Sequence, residues 1–336
     1  MTIFYKIPRL LLALILLIAS SNLNAQQSEQ TTLGLKFSAQ QLDVRIEFYS
    51  PTIVRVFKTP VGKPYTKKSL SVVGQPKTTA LTYSNEENTV RIKSSEIQVE
   101  INTKTGGIYF YDLAGKELLK DKDYGTQFSA FDDAGTQSFK VKTGFLLEKD
   151  EAIYGVGQIM DNQFNRRNSF HHMQNENMST YSPYFHSVKG YAVFWDNYSI
   201  SQFNDNPQEL SFQSIGHCAD YYFMYGKNAD GVISKVRELT GKAPMLPLWA
   251  YGFFQSKERY HTQDESFNML KKYRELNVPI DVVIQDWRYW PEYNKSDSAW
   301  NSQRFDTERF PDPKKWADQI HQLNAKLLIV TWPGFG

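Results

Sequence analysis

Apolar and polar residues alternate with a period of two along most of the first two-thirds of the chain. In LDVRIEFY, Leu42, Val44, Ile46 and Phe48 fall on one side, and Asp43, Arg45, Glu47 and Tyr49 on the other. That is the pattern of a strand with one buried face. IQVEINTKTGGIYFYD reads as a hairpin, in which Ile97, Val99 and Ile101 run in, TKTGG reverses the chain, and Ile108 and Phe110 run back. SFKVKTGFLLE, GYAVFWDN and DYYFMYG are further strand-like runs. Many short strands separated by Gly, Asn and Asp turns predict an antiparallel β-sandwich from about Leu33 to Glu238. One helix, GVISKVRELTG, is expected to end at Gly241.

Beyond the proline-punctuated joint KAPMLPLW, from Lys242 to Trp249, the period changes. WAYGFF reads as a first strand. HTQDESFNMLKKYREL reads as a helix, with Thr262 and Glu265 spaced as a capping box and Phe267, Leu270 and Tyr273 on one face. PIDVVIQDW is a nearly continuous apolar strand of the kind covered on both faces. DPKKWADQIHQL offers Asp312 as N-cap and Pro313 as first helical residue, with Trp316, Ile320 and Leu323 facing inward. AKLLIVTWP is a third strand. This order of buried strands and helices predicts a parallel sheet. Only 88 residues run from Trp249 to Gly336, whereas a (β/α)8 barrel takes about 250. The expectation is a multidomain β plus α/β chain, the N-terminal part of a longer protein. An antiparallel β-sandwich occupies 26–241, and 242–336 holds the first three βα units of an incomplete (β/α)8 TIM barrel.

The first 25 residues stand outside both patterns. Lys6 and Arg9 precede the apolar run LLLALILLIA, and a polar stretch with a small residue, Ala25, follows. This is the layout of a secretory signal peptide, and the run is shorter than the roughly 20 residues of a membrane span. The expected product is exported, to the periplasm or the medium, without stable membrane insertion. Removing Lys6 and Arg9 takes the 38 basic residues to 36, equal to the 36 acidic ones. A neutral chain has no electrostatic footprint for nucleic acid. Cys218 is the only cysteine, so no internal disulfide forms. The six histidines carry no HExxH or CxxC companion, so no metal site is expected. Aromatic residues make up 15% of the chain, a bias that suits sugar rings and sandwich cores alike.

In parallel α/β architecture ligands meet the C-terminal ends of the strands. Here those ends carry Phe254–Gln255–Ser256–Lys257, Gln285–Asp286–Trp287 and Thr331–Trp332–Pro333. At such a rim the Asp286 carboxylate can accept hydrogen bonds from two neighbouring hydroxyls, and Trp287 and Trp332 can offer apolar walls to a sugar ring. Equally, Asp286 can cap or pair with Lys257 or Arg288 while the tryptophans close the barrel end. Spacing alone leaves the two readings level. The stretch FHHMQNENMSTYSPYFHSVKGYAVFWDN has the amides, hydroxyls and aromatics of a loop reaching a sugar site. In it His171 and His172 read as ordinary loop histidines, and Asn175 as a candidate contact.

Six segments in order carry a resemblance. They are YGVGQ, YSPYFHSVKGYAVFWDN, APMLPLWAYGFFQSKERYHTQDE, PIDVVIQDWRYW, FPDP and LLIVTWPGFG, over roughly Tyr154 to Gly336. Together they resemble glycoside hydrolase family 31, retaining α-glycosidases with a sandwich before a (β/α)8 barrel. QSKERY and QDWRYW look most like the α-xylosidase branch. The resemblance implies that Asp286 holds sugar hydroxyls in subsite −1. It implies that Trp287 and Phe254 line that subsite, where bulk near C6 favours xylose, and that Trp332 is the third-strand wall. It implies a sandwich loop near the site, which fits Asn175, and no metal or organic cofactor. The family's nucleophile and acid/base, two aspartates, match nothing before Gly336, so the chain alone is expected to be inactive. The expected partner is an oligosaccharide, with α-glucosidase, transglycosylase and non-catalytic glycan-binding readings as alternatives.

Overall fold

The computed structural model describes residues 28–176, 178–291 and 304–331. The signal-peptide reading of 1–25 and Trp332 lie outside the described residues. The chain divides between Ala243 and Pro244 into two units.

The first unit is two antiparallel sheets. One runs Glu29–Thr31, Gly34–Ala39, Leu42–Ser50, Ile53–Pro60, Ala219–Tyr225, Tyr191–Trp195, Ser179–Ser187, Ile153–Ile159 in spatial order. The other runs Phe170–Met173, Ser201–Asn206, Glu209–Gly216, Thr136–Leu146, Glu117–Asp133, Ile108–Asp112, Ile97–Asn102, Thr89–Lys93, Thr82–Glu86. The period-two pattern is the cause. Val44, Ile46 and Phe48 are buried while the residues between them keep contact with solvent. The expected hairpin pairs Val99 with Phe110 and Ile101 with Ile108, all four side chains buried. Aromatic rings fill the space between the sheets. Phe110 stacks on Phe223 at 4.0 Å, and Trp195 stacks on Phe212 at 5.9 Å while its Nε1 donates to Ser214 Oγ at 2.7 Å.

Part of the stretch read as a sandwich loop is instead strand. Phe170–Met173 carries both His171, buried, and His172, exposed. Two glycines explain the YGVGQ segment. Register slips between Gly155 and Gly157, and a Cβ at Gly157 would stand 2.2 Å from the Thr180 carbonyl oxygen. Only glycine permits that bulge. Helix α1 (Ala229–Thr240) is capped by Asn228, whose side chain accepts from Gly231 N, and ends at Gly241 with φ 90°. It buries Val232 and Leu239 against Ile53, Phe194, Tyr222 and Met224 on the outer face of the first sheet.

The second unit holds a three-stranded parallel sheet, with Val282–Gln285 between Phe254–Gln255 and Lys326–Ile329. Here the first-strand expectation needs correction. WAYGFF is not a strand, because Leu248–Tyr251 coils into a 3-10 turn and pairing begins only at Phe254. The helical caps form as expected. Thr262 Oγ1 accepts from Glu265 N at 3.1 Å at the start of α2 (Gln263–Glu275). The return bond is shifted by one residue, since the Glu265 carboxylate accepts from His261 N at 2.6 Å. Asp312 caps α3 (Pro313–Gln322) by accepting from Lys315 N at 2.9 Å. Leu270, Trp316 and Ile320 pack with Val283 behind the sheet, and Trp316 Nε1 donates to Ser266 Oγ at 2.9 Å to tie the helices together.

Candidate functional site

Because all three strands run the same way, their C-terminal ends share one rim. Alternation along Val282–Gln285 sends Val283 to the helix layer, with Leu270, Trp316 and Ile320. Gln285 therefore points the same way, and Asp286, the next residue, points to the opposite face. Gln285 is fully buried and its Nε2 donates to the Tyr260 carbonyl at 3.2 Å. Trp287 N donates to the Glu258 carbonyl at 3.2 Å. Two bonds thus fasten the loop after the first strand to the residues on either side of Asp286.

Asp286 itself is half-buried and has no hydrogen-bond or ion-pair partner among the described residues. Desolvation alone raises its carboxyl above the ordinary aspartate range. The two cations that sequence offered as partners are engaged elsewhere. Lys257 pairs with Glu265 at 2.6 Å and stands over the Tyr260 ring. The Arg288 guanidinium lies over the Trp287 ring at 4.3 Å, with Arg259 at 5.5 Å. Among the described residues neither expected ion pair of Asp286, with Lys257 or with Arg288, is therefore formed. A partly desolvated carboxylate with no cation partner among the described residues is suited to accept hydrogen bonds from a ligand.

The other expected site residues are placed less simply. Phe254 pairs with Val282 and so shares the face of Asp286, but stands about 13 Å lower along the strand direction, four residues at about 3.3 Å each. Trp287 packs against the helix-side core with its two arginine neighbours, so its ring is engaged by protein. Tyr289 and Trp290 are buried core, in edge contact at 5.2 Å. Trp332 falls outside the described residues. Asn175 lies in the first unit, exposed, its Oδ1 accepting from Tyr181 N at 2.6 Å across its own turn. Sequence reading missed two features of the rim. Arg288 has φ 52°, a left-handed conformation that is costly for a residue with a Cβ. Arg309 donates to the carbonyls of Arg288 at 2.9 Å and Trp290 at 2.7 Å and so holds that turn. An arginine one residue before FPDP carries no local signal of this role. Among the described residues no three His, Cys, Asp or Glu side chains cluster as metal ligands, and no helix is long and apolar enough to cross a membrane.

Two family models match the chain. The glycosyl hydrolase 31 N-terminal galactose mutarotase-like domain covers 43–204, and the glycosyl hydrolases family 31 TIM-barrel domain covers 243–336. The chain belongs to glycoside hydrolase family 31. Among curated relatives of this family 31 chain, the α-xylosidase of Saccharolobus solfataricus is 36% identical over 308 residues, 88% of this chain and 41% of that protein. α-Glucosidase 2 of Bacillus thermoamyloliquefaciens is 26% identical over 306 residues, 87% of this chain and 37% of that protein. The family 31 chain thus spans about two-fifths of the length of these relatives. Among solved structures, a family 31 α-xylosidase from a soil metagenome, complexed with xylose, superposes with a TM-score of 0.80. It is 25% identical, and the match covers 91% of this chain and 47% of that one.

Proposed function

We propose that this family 31 chain serves a retaining α-glycosidase of the α-xylosidase type, acting on xylosylated oligosaccharides. The observation that carries the proposal is Asp286, a half-buried carboxylate at the C-terminal end of the central parallel strand with no cation partner among the described residues. Its role is to accept hydrogen bonds from sugar hydroxyls in subsite −1. It is not one of the two carboxylates, about 5 Å apart, that exchange a proton and form the glycosyl intermediate. Trp332 is proposed to line the subsite, and Phe254 to lie below it on the face shared with Asp286. The similarity to an α-xylosidase at 36% identity supports xylose over glucose. Within this proposal residues 1–25 are an export signal, 26–241 the sandwich and 242–336 the first three βα units of the barrel. The destination is the periplasm or the medium.

The test uses the protein expressed from its complete gene. Aryl α-xyloside is expected to be hydrolysed with a higher kcat/KM than aryl α-glucoside. Preference for the glucoside would replace xylose with glucose, and transfer to sugar acceptors in place of hydrolysis would make the protein a transglycosylase. Asp286→Asn keeps the shape and halves the acceptor capacity. It is expected to lower kcat/KM by about a hundredfold, the weight of two charge-assisted hydrogen bonds. Unchanged kinetics would remove Asp286 from the site. N-terminal sequencing of the exported protein should begin at Gln26.

A further inference from the structure

The two sheets of the sandwich differ in length at one end, and the difference opens a second cleft. Glu117–Asp133 and Thr136–Leu146, of 17 and 11 residues, form a ribbon facing strands of six to nine residues. Ribbon pairing sets Thr126 beside Thr143, Phe128 beside Val141 and Ala130 beside Phe139, so these six share the core-facing side. Thr126, Thr143 and Val141 are buried, whereas Phe128 and Phe139, farther out, are only half-buried. The apolar face thus runs on past the sheet that covers it. Opposite stands the two-residue turn Gln40–Gln41, and the cleft between them has a volume of 720 Å³.

That turn is chemically unexpected. Both residues lie in the left-handed region, with φ 51° and 63°, as a type I′ hairpin turn requires, and such turns strongly favour Asn-Gly. Two glutamines are strained there. Gln40 has a structural use, since its Nε2 donates to the Lys104 carbonyl of the facing sheet at 3.2 Å. The Gln41 carbonyl accepts from Val61 N at 2.9 Å, but its side chain has no hydrogen-bond partner among the described residues and is exposed on the cleft. The remaining wall adds Tyr124 and Asp123, and Lys63 lies over the Phe139 ring at 4.9 Å. Asp123, the charged residue of the lining, pairs with Lys122 at 3.6 Å, so the cleft selects neither anion nor cation. A free carboxamide facing half-covered aromatic rings matches a ligand with C–H faces and hydroxyls.

We propose that this cleft is a second saccharide-binding site, on the sandwich, that takes a neutral xylosylated oligosaccharide. The ligand class rests on the function proposed above; the cleft itself does not involve Asp286. Native electrophoresis of the chain through gels containing xyloglucan tests it. The wild-type chain is expected to be retarded, and Asp286→Asn to keep that retardation. Gln41→Gly is expected to weaken it about fivefold, the value of one hydrogen bond, and Phe128→Ala about tenfold, the value of a lost aromatic platform. Glycine accepts the backbone of position 41 without strain. Gln41→Gly should therefore hold or raise the melting temperature, so its loss of binding cannot come from unfolding. The proposal is overturned if the wild type is not retarded, if Gln41→Gly and Phe128→Ala migrate as wild type does, or if Asp286→Asn alone abolishes retardation. Hydrolysis of aryl α-xyloside by the complete protein separates the two claims. Activity without retardation sinks only the second site, and absence of activity sinks the glycosidase reading.

Discussion

Buried carboxylates are treated differently in the two units. In the sandwich, Asp121 meets Lys58 at 3.0 Å, Asp205 meets Arg167 at 2.8 Å, and Asp220 meets Arg55 at 2.8 Å and Lys67 at 2.9 Å. Asp196 also meets Lys67, at 2.7 Å, and Glu151 accepts from Ser187 and Tyr191 hydroxyls at 2.5 Å with Lys189 nearby. In the second unit, Asp286 is partly desolvated and no cation among the described residues pairs with it. The contrast teaches where structure and function separate. A paired charge stays buried because its partner and hydrogen bonds offset desolvation. A carboxylate held at a strand end without that compensation is destabilising unless a ligand supplies it. Position in the fold thus distinguishes two acids that look alike in sequence.

The comparison can be broken first at its strongest point. Lys58→Met leaves Asp121 fully buried with only the Tyr221 hydroxyl, at 3.3 Å, among its side-chain partners. The expected loss is about 3–5 kcal/mol of sandwich stability, read from urea unfolding by near-ultraviolet circular dichroism. Lys58→Met combined with Asp121→Leu should recover most of it. A single-variant loss below about 1 kcal/mol would show that the pair is not what keeps Asp121 tolerable.

A smaller effect is expected in the second unit, whose helices rely on local caps. Thr262→Ala removes the bond to Glu265 N and should cost about 1 kcal/mol. Faster amide exchange in the first turn of α2 is the readout, and unchanged protection there would refute the cap's contribution. The smallest effect concerns pH. Desolvation raises the Asp286 carboxyl, so the native state holds its proton more firmly than the unfolded chain does. Stability from this group is full below the unfolded pKa and is lost as pH rises through the folded one. Asp286→Asn should therefore stabilise the unit at neutral pH relative to acid, by only tenths of a kcal/mol because the group is not fully buried. Carbon-detected titration should also show the Asp286 pKa unmoved by Lys257→Ala. A rise in that variant would reveal a hidden ion pair and collapse the contrast.

Much of the fold was legible because its causes are local. Alternation placed Val44, Ile46, Phe48, Val99 and Phe110 inside, and the Thr262 and Asp312 caps formed where the residue types required. WAYGFF misled because a short aromatic run fits a strand or a tight turn equally, and Gly252 with Pro247 favoured the turn. The site was legible in position only. That Asp286 follows the central strand could be read from the chain. That Lys257 turns to Glu265, and that Arg288 and Arg259 lie over Trp287, could not.

By itself the sequence determined most of the strands, where two helices begin, and that acid and aromatic residues gather at the strand ends. Those outcomes follow from backbone periodicity and from hydrogen bonds spanning three or four residues. Tertiary structure alone decided that Asp286 pairs with no cation among the described residues, that Trp287 is engaged by arginines, and that Gln41 faces half-covered rings. A charge's partner and a ring's exposed face depend on which distant segments fold against them, and no local pattern encodes that choice.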